Sequence, residues 1–317
     1  MSFFDVFERY MYDCHEEVSL YYAQHEEEAA ELFRKLDYGN GSLPDYDNPY
    51  TQKLYHLRYM YAYGYEYREM FRRLLQRQEP DRRIRWNMLS IGCGSGIDYW
   101  AFIEAHVNEQ AEGRLKGLEY TGADLEDWGM KWGSDYFDHR LVRNRLDAKD
   151  TFFNAQHEQC DAVEFLRRNQ DVLPYNVIVF PKSISEFSDR SFEEMLNILE
   201  NANFRFACNN REYDTEKVNI LVSLRWKPDV PVEELLDKQR SDRLKEAMER
   251  NGFCLHDEAA AEVYSGEDLH IIACDQDFKY PEVPYRFMQE LSNMEICKSP
   301  ITNTKFNCNR IMTFVRG

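Results

Sequence analysis

Apolar and polar positions alternate in blocks along this chain, and each block predicts an element. Through residues 2–37, Phe3, Phe4, Phe7, Tyr10, Met11 and Cys14 recur at helical spacing while Glu16, Glu17 and Glu26 to Glu28 supply solvated faces, so the stretch reads as helix. Residues 38–49 hold two glycines, two prolines and several Asn and Asp, which marks a loop. A second helix is expected from about 49 to 78. Leu54, Leu57, Tyr61, Phe71, Leu74 and Leu75 form one stripe on it, and Tyr55, Tyr59, Tyr63 and Tyr67, four apart, form its neighbour. Pro80 ends it.

The period then changes. Residues 85–91 make a short apolar run, followed by glycines at 92, 94 and 96 and a helix-like pattern over about 98–112. Further strands are expected at 118–124, weakly within 152–161, and at 177–180, 217–225, 253–256 and 310–316. Helices are expected from about 163, at 191–201 and at 232–251, the last closed by Gly252. Trp128 and Trp132, at i and i+4, read as a helix face packed on the sheet.

Composition narrows the class. The 317 residues are 43% hydrophobic and 30% charged, a globular balance, and no apolar run approaches the length of a membrane span. A net charge of −18 argues against a broad nucleic-acid surface, although Arg72 to Arg85 and Arg140 to Lys149 hold local basic clusters. The eight cysteines are scattered with no Cys-x-x-Cys pair, so no zinc site is expected. The N-terminus has no basic export region, and the thiols read as reduced ones in a cytoplasmic protein.

Residues 87–98 carry the most specific signal: Asn-Met-Leu-Ser-Ile-Gly-Cys-Gly-Ser-Gly-Ile-Asp. A strand, a glycine-rich turn and a helix let backbone approach a ligand. A dinucleotide-binding turn needs its third glycine where Ile97 stands. Here the pattern is G-x-G-x-G, and it resembles motif I of the class I S-adenosylmethionine (SAM)-dependent methyltransferases. Residues 120–125, ending in Asp124 and Leu125, are similar to the family's motif II.

That resemblance spans about residues 84–317. It implies a doubly wound, seven-stranded, mostly parallel sheet whose last strand is antiparallel, with an N-terminal helical extension. We therefore expect a helical cap over 1–80 and a methyltransferase domain over 81–317, with 258–309 as a substrate-side insertion. The implied cofactor is SAM, with S-adenosylhomocysteine (SAH) as product.

The resemblance assigns the cofactor to Ser90, Gly92, Cys93, Gly94, Gly96, Asp124, Leu125, Asp161, Ala162 and Pro181. Asp124 would accept from both ribose hydroxyls, Leu125 would lie against the adenine, and Asp161 would meet the adenine amine. The chain departs from the pattern at Ser90, where the family commonly has an acid facing the methionine amino group. Asp98 is a candidate substitute, although an acid in a first helical turn is favourable on its own. In residues 180–186 the polar groups nearest the transferred methyl are Lys182, Ser183, Ser185 and Glu186, and Lys182, Ser183 and Glu186 are the catalytic candidates. The Asn/Asp-Pro-Pro-Tyr/Phe of DNA and protein-glutamine methyltransferases is absent. Tyr59 and Tyr63 are candidates for contact with cofactor or acceptor, against a plain core-facing role. The acceptor is read as a small molecule or peptide. RNA is the alternative, through the two basic clusters, and a non-catalytic SAM-binding scaffold is the third reading.

Overall fold

The computed structural model describes residues 3–36, 44–77, 84–108, 115–128, 152–204, 217–225, 231–258, 280–301 and 309–316. The N-terminal stretch is two helices, α1 (Phe3–Gln24) and α2 (Glu26–Arg34), rather than one. His25 breaks them apart at φ −139° and ψ 49°, a bend that neither Gly nor Pro signals in advance. Helix α3 (Pro49–Gln76) begins where Asn48 accepts from the backbone N–H groups of Tyr50 and Thr51, with Pro49 in the first turn.

Seven strands follow: β1 (Ile84–Ile91), β2 (Leu115–Asp124), β3 (Phe152–Gln159), β4 (Val177–Pro181), β5 (Val218–Arg225), β6 (Cys254–Glu258) and β7 (Asn309–Arg316). Their order in the sheet is β3-β2-β1-β4-β5-β7-β6. Strand β7 runs antiparallel to both its neighbours, and the other pairings are parallel. This is the expected doubly wound sheet, with the strand order of the Rossmann-like methyltransferase fold. Between the strands lie α4 (Ile97–Asn108), α5 (Ala162–Asn169), α6 (Asp189–Asn201) and α7 (Leu236–Arg250). Helix α8 (Glu282–Asn293) sits in the region read only as an insertion.

Strand periodicity divides the core in two. Ile84, Trp86 and Met88 of β1 and Val177 and Val179 of β4 face one way, into a cluster shared with α1, α3 and α4. Leu89 and Ile91, with Ile178 and Phe180, face the other way, toward α5, α6 and α7. The strands are therefore apolar on both faces, which is why they read as continuous runs. Helix α3 is buried on nearly every side, and its Leu54, Leu57, Tyr61, Phe71, Leu74 and Leu75 stripe is core. No helix among the described residues is long and apolar enough to cross a membrane.

Strand order reverses between β1 and β4, and the crevice at such a reversal, at the carboxyl ends of the strands, is where open α/β sheets bind ligands. Helix α3 crosses the same end, fixed by a clasp. Lys182 Nζ lies 2.7 Å from Glu66 Oε2, and Ser223 at the end of β5 donates to Glu66 Oε1.

Candidate active site

Strand β1 ends at Ile91 and the chain turns at once. The Gly92 N–H donates to the Ala123 carbonyl at 2.8 Å, tying the turn to β2. Gly92, Gly94 and Gly96 have φ of 66°, 52° and 75°, a left-handed run that side chains rarely follow. A Cβ on Gly92 would lie 2.5 Å from Ser183 Cβ, so the loop leaving β4 rests directly on the turn. A Cβ on Gly94 would make an ordinary van der Waals contact with the Trp128 ring at 3.8 Å, so there is no clash here of the kind Gly92 shows.

Asp124 closes β2 beside the turn. Its Oδ2 accepts from the Gly94 N–H at 2.8 Å and its Oδ1 from the Glu126 N–H at 3.1 Å. Burial raises its pKa, and these two N–H groups, His157 and Trp128 pull it back down. The carboxylate therefore braces the glycine turn and also faces the cleft.

The cleft spans about 630 Å³ of space, the open solvent at its mouth included. Its floor is the glycine turn with Cys93, Ser95, Ile97 and Asp124. One wall is aromatic: Tyr46, then Tyr55, Tyr63 and Tyr67 of α3, with Trp128. Pro181, Lys182, Glu186 and Arg225 complete the lining. Tyr46 and Trp128 rings lie 4.6 Å apart, Tyr55 and Trp128 5.0 Å. Gln52 Nε2 joins their two segments, donating to the Tyr46 carbonyl at 2.6 Å and the Asp127 carbonyl at 3.1 Å.

These charges are compensated locally. Lys182 holds a left-handed φ of 58°, and its ammonium, paired with Glu66, also lies 4.5 Å from the Tyr63 ring. Burial opposes the Arg225 charge, but Tyr63, Asp237, Glu186 and Tyr59 outweigh it and raise its pKa. Burial pushes the Tyr63 phenol up to about 12 and Tyr67 well up, so both are neutral hydroxyls near neutral pH. Burial likewise holds the Cys93 thiol protonated.

The structure brings some of the expected residues together and separates others. Gly92, Cys93, Gly94, Asp124, Pro181, Lys182, Glu186 and Tyr63 line the cleft. Gly96 shapes the turn from below. Tyr59 lies one ring behind, stacked on Tyr63 at 5.1 Å. Ser183 is buried, its hydroxyl donating to the Ile91 carbonyl at 2.6 Å, so it holds the β4 loop to β1. Leu125, next along from Asp124, is 60% exposed and is not among the residues lining the cleft. Asp161 caps α5, accepting from the Glu164 N–H at 3.0 Å, and Ala162 joins the core against the sheet; neither lines the cleft. Ser90 is fully buried beneath the turn.

Tyr46, Tyr55, Tyr67, Trp128 and Arg225 line the cleft but were not among the site candidates read from sequence. Trp128 is not on a helix; it stands in irregular chain over the turn. Trp132 lies outside the described residues, as do the 140–149 basic cluster and most of the 258–309 segment. For Arg225 the usable signal was its place at the carboxyl end of a strand.

No protein-family model and no curated protein matches this chain. Among solved structures, it is similar to a SAM-dependent methyltransferase from Archaeoglobus fulgidus, at 16% identity and a TM-score of 0.36, over 78% of this chain and 94% of that one. It is also similar to the plantazolicin methyltransferase BpumL in complex with SAH, at 12% identity and a TM-score of 0.37, over 95% and 98% of the two chains. A third is geranyl diphosphate C-methyltransferase from Streptomyces coelicolor, at 11% identity and a TM-score of 0.37, over 77% and 73%. At such scores the fold assignment rests on the strand order described above.

Proposed function

We propose that this protein is a SAM-dependent methyltransferase acting on a small molecule or a peptide. One observation carries the reading: a left-handed G-x-G-x-G turn at the end of β1, bonded through Gly94 to the acid that ends β2, inside a sheet of methyltransferase strand order. The residues fit the cofactor. Supporting this, Gly94 and Asp124 border one cleft, and the Asp124 carboxylate has the acceptor capacity that two sugar hydroxyls need.

When bound, SAM supplies a methyl group already activated by its sulfonium. The chain's own residues then have three tasks. The glycine turn and Asp124 hold the nucleoside end. The aromatic wall excludes water and shapes the acceptor space, where orientation is worth more than acid–base chemistry. Of the three catalytic candidates, Lys182 and Glu186 line the cleft, and Ser183 is buried with its hydroxyl on the Ile91 carbonyl; Glu186 is the carboxylate among them. We assign Glu186 the proton released by the acceptor's nucleophilic atom, taken up on its carboxylate.

The RNA reading is less well supported. Arg72 and Arg73 both donate to Glu69, Arg77 to Thr313 and Arg85 to Glu119, so the described part of the first basic cluster is spent inside the fold. A scaffold role would need the cleft to bind no nucleoside. Calorimetry with SAH tests both points. Wild type should bind, and Asp124→Ala should weaken binding at least about tenfold. Unchanged affinity would remove Asp124 from the site. Incubation with methyl-labelled SAM and nuclease-treated or protease-treated cell extract then separates the acceptor classes: label that survives nuclease supports a small molecule or peptide, and label lost to nuclease overturns it.

A further inference from the structure

Strand β5 carries a second cation into the cleft. Leu221 joins the core shared with α1, α3 and α4, and Ser223 donates to Glu66 of α3. By strand alternation Arg225 follows them on the same face, and its side chain lines the cleft together with Tyr63 of α3. The Lys182 N–H donates to the Ser223 carbonyl at 3.1 Å, so Lys182 and Arg225 leave neighbouring strand ends. The two cations are used differently. Glu66 holds the Lys182 ammonium at 2.7 Å. Arg225 presents a planar fork of N–H donors, of which a bidentate carboxylate takes only two. Its backbone N–H donates to Oδ2 of the buried Asp237 at 2.8 Å, which fixes where the side chain starts.

Position separates this cation from the sugar end of the cleft. The strands run β2-β1-β4-β5, so the ends of β2 and β5 are three strand spacings apart, about 14 Å. Asp124 ends β2 and Arg225 ends β5. On the reading proposed above, on which this inference rests, the nucleoside lies at the Asp124 end and the acceptor at the other. We propose that Arg225 anchors a carboxylate of the acceptor, holding it through paired N–H groups at the β5 end of the cleft while the acceptor's nucleophilic atom meets Glu186. The charge of the lining selects a carboxylate over a phosphate. Asp124 and Glu186 share the cleft, and two fixed carboxylates repel a dianion more than a monoanion. The rings of Tyr63 and Tyr67 beside them suit an acceptor with a flat, apolar body.

The probes are pairs of small molecules matched in shape, benzoate with benzamide and phenylacetate with phenylacetamide, titrated into the SAH-loaded protein by calorimetry or ligand-observed NMR. Each acid should bind at least about tenfold more tightly than its amide, and Arg225→Gln should remove that preference. SAH affinity should stay at the wild-type value. Should that variant fold poorly, Arg225→Lys, which keeps the charge and loses the fork, should lower the preference in the same direction. The acid–amide comparison on wild type needs no variant. Acids that bind no better than their amides, or a preference that survives Arg225→Gln, would overturn the proposal while leaving the cofactor reading intact. Phenyl phosphate binding more tightly than benzoate would also overturn it. A variant that loses affinity for SAH but not for 5′-methylthioadenosine, which lacks the amino-acid end, would place Arg225 on the cofactor's own carboxylate and overturn it too. Wild type that binds no SAH would remove the cofactor reading and the proposal together.

Discussion

The clasp between α3 and the sheet gives the sharpest energetic prediction. Lys182 and Glu66 are 2.7 Å apart with side chains 10% and 4% exposed, far from the solvent screening that makes surface pairs worth little. At an effective dielectric of about 20 the direct attraction at that distance is on the order of 6 kcal/mol. Desolvation of both ions offsets much of it, so the pair adds little net stability compared with an apolar pair. Breaking it is different. Glu66→Ala leaves the Lys182 ammonium buried against the Tyr63 ring and should cost about 3–5 kcal/mol. Lys182→Met leaves Glu66 with its Ser223 bond and should cost somewhat less. In the double variant neither charge is stranded, so its loss should fall at least about 2 kcal/mol short of the sum. The assay is urea denaturation of the four proteins, with slopes compared to check that unfolding remains two-state. Losses that add to within about 0.5 kcal/mol would show that the two residues do not act as a pair, and the clasp would have to be abandoned.

Three further expectations follow from single sites. Gly92→Ala forces a side chain into a left-handed position and onto Ser183, so it should abolish SAH binding and lower the melting temperature; a variant with wild-type affinity would contradict the packing of the β4 loop on the turn. Burial raises the Asp98 pKa from 3.8 to about 6, so between those values the folded protein holds a proton that the unfolded chain has released. Lowering the pH through that window should therefore stabilise ligand-free wild type relative to Asp98→Asn, by up to about 3 kcal/mol for a gap of about two pH units; a difference that stays flat from pH 7 to pH 4 in urea titrations would refute the assignment. Glu186→Gln should reduce methyl transfer about a hundredfold or more while leaving SAH affinity unchanged, and full activity would clear Glu186 of any proton transfer.

Backbone requirements were the most legible part of this sequence. The glycine turn announced itself because three alternate positions must take left-handed geometry, and β4 because a strand covered on both faces has to be apolar throughout. Asp124 was legible as the acid ending the segment similar to motif II, and it lines the cleft. What escaped depends on tertiary neighbours. Glu66 and Glu69 drew no expectation from sequence, and they are buried because α3 is covered on almost all sides. Trp128 and Trp132 suggested a helix by spacing, whereas Trp128 is held in irregular chain by aromatic contacts with Tyr46 and Tyr55. Helix α8 was unread because Pro281 and Pro284, which start it, look like loop residues when no following stripe is recognised. The break at His25 carries no turn residue at all.

The most direct test of the cofactor site is a crystal structure of the protein grown with saturating SAH. The account predicts nucleoside density across the turn at Gly92, Gly94 and Gly96, with both ribose hydroxyls within hydrogen-bonding distance of Asp124 and the aromatic wall of Tyr63 and Trp128 closing over it. Density placed elsewhere, or a cleft still filled by Trp128 and the tyrosines at saturating ligand, would contradict it.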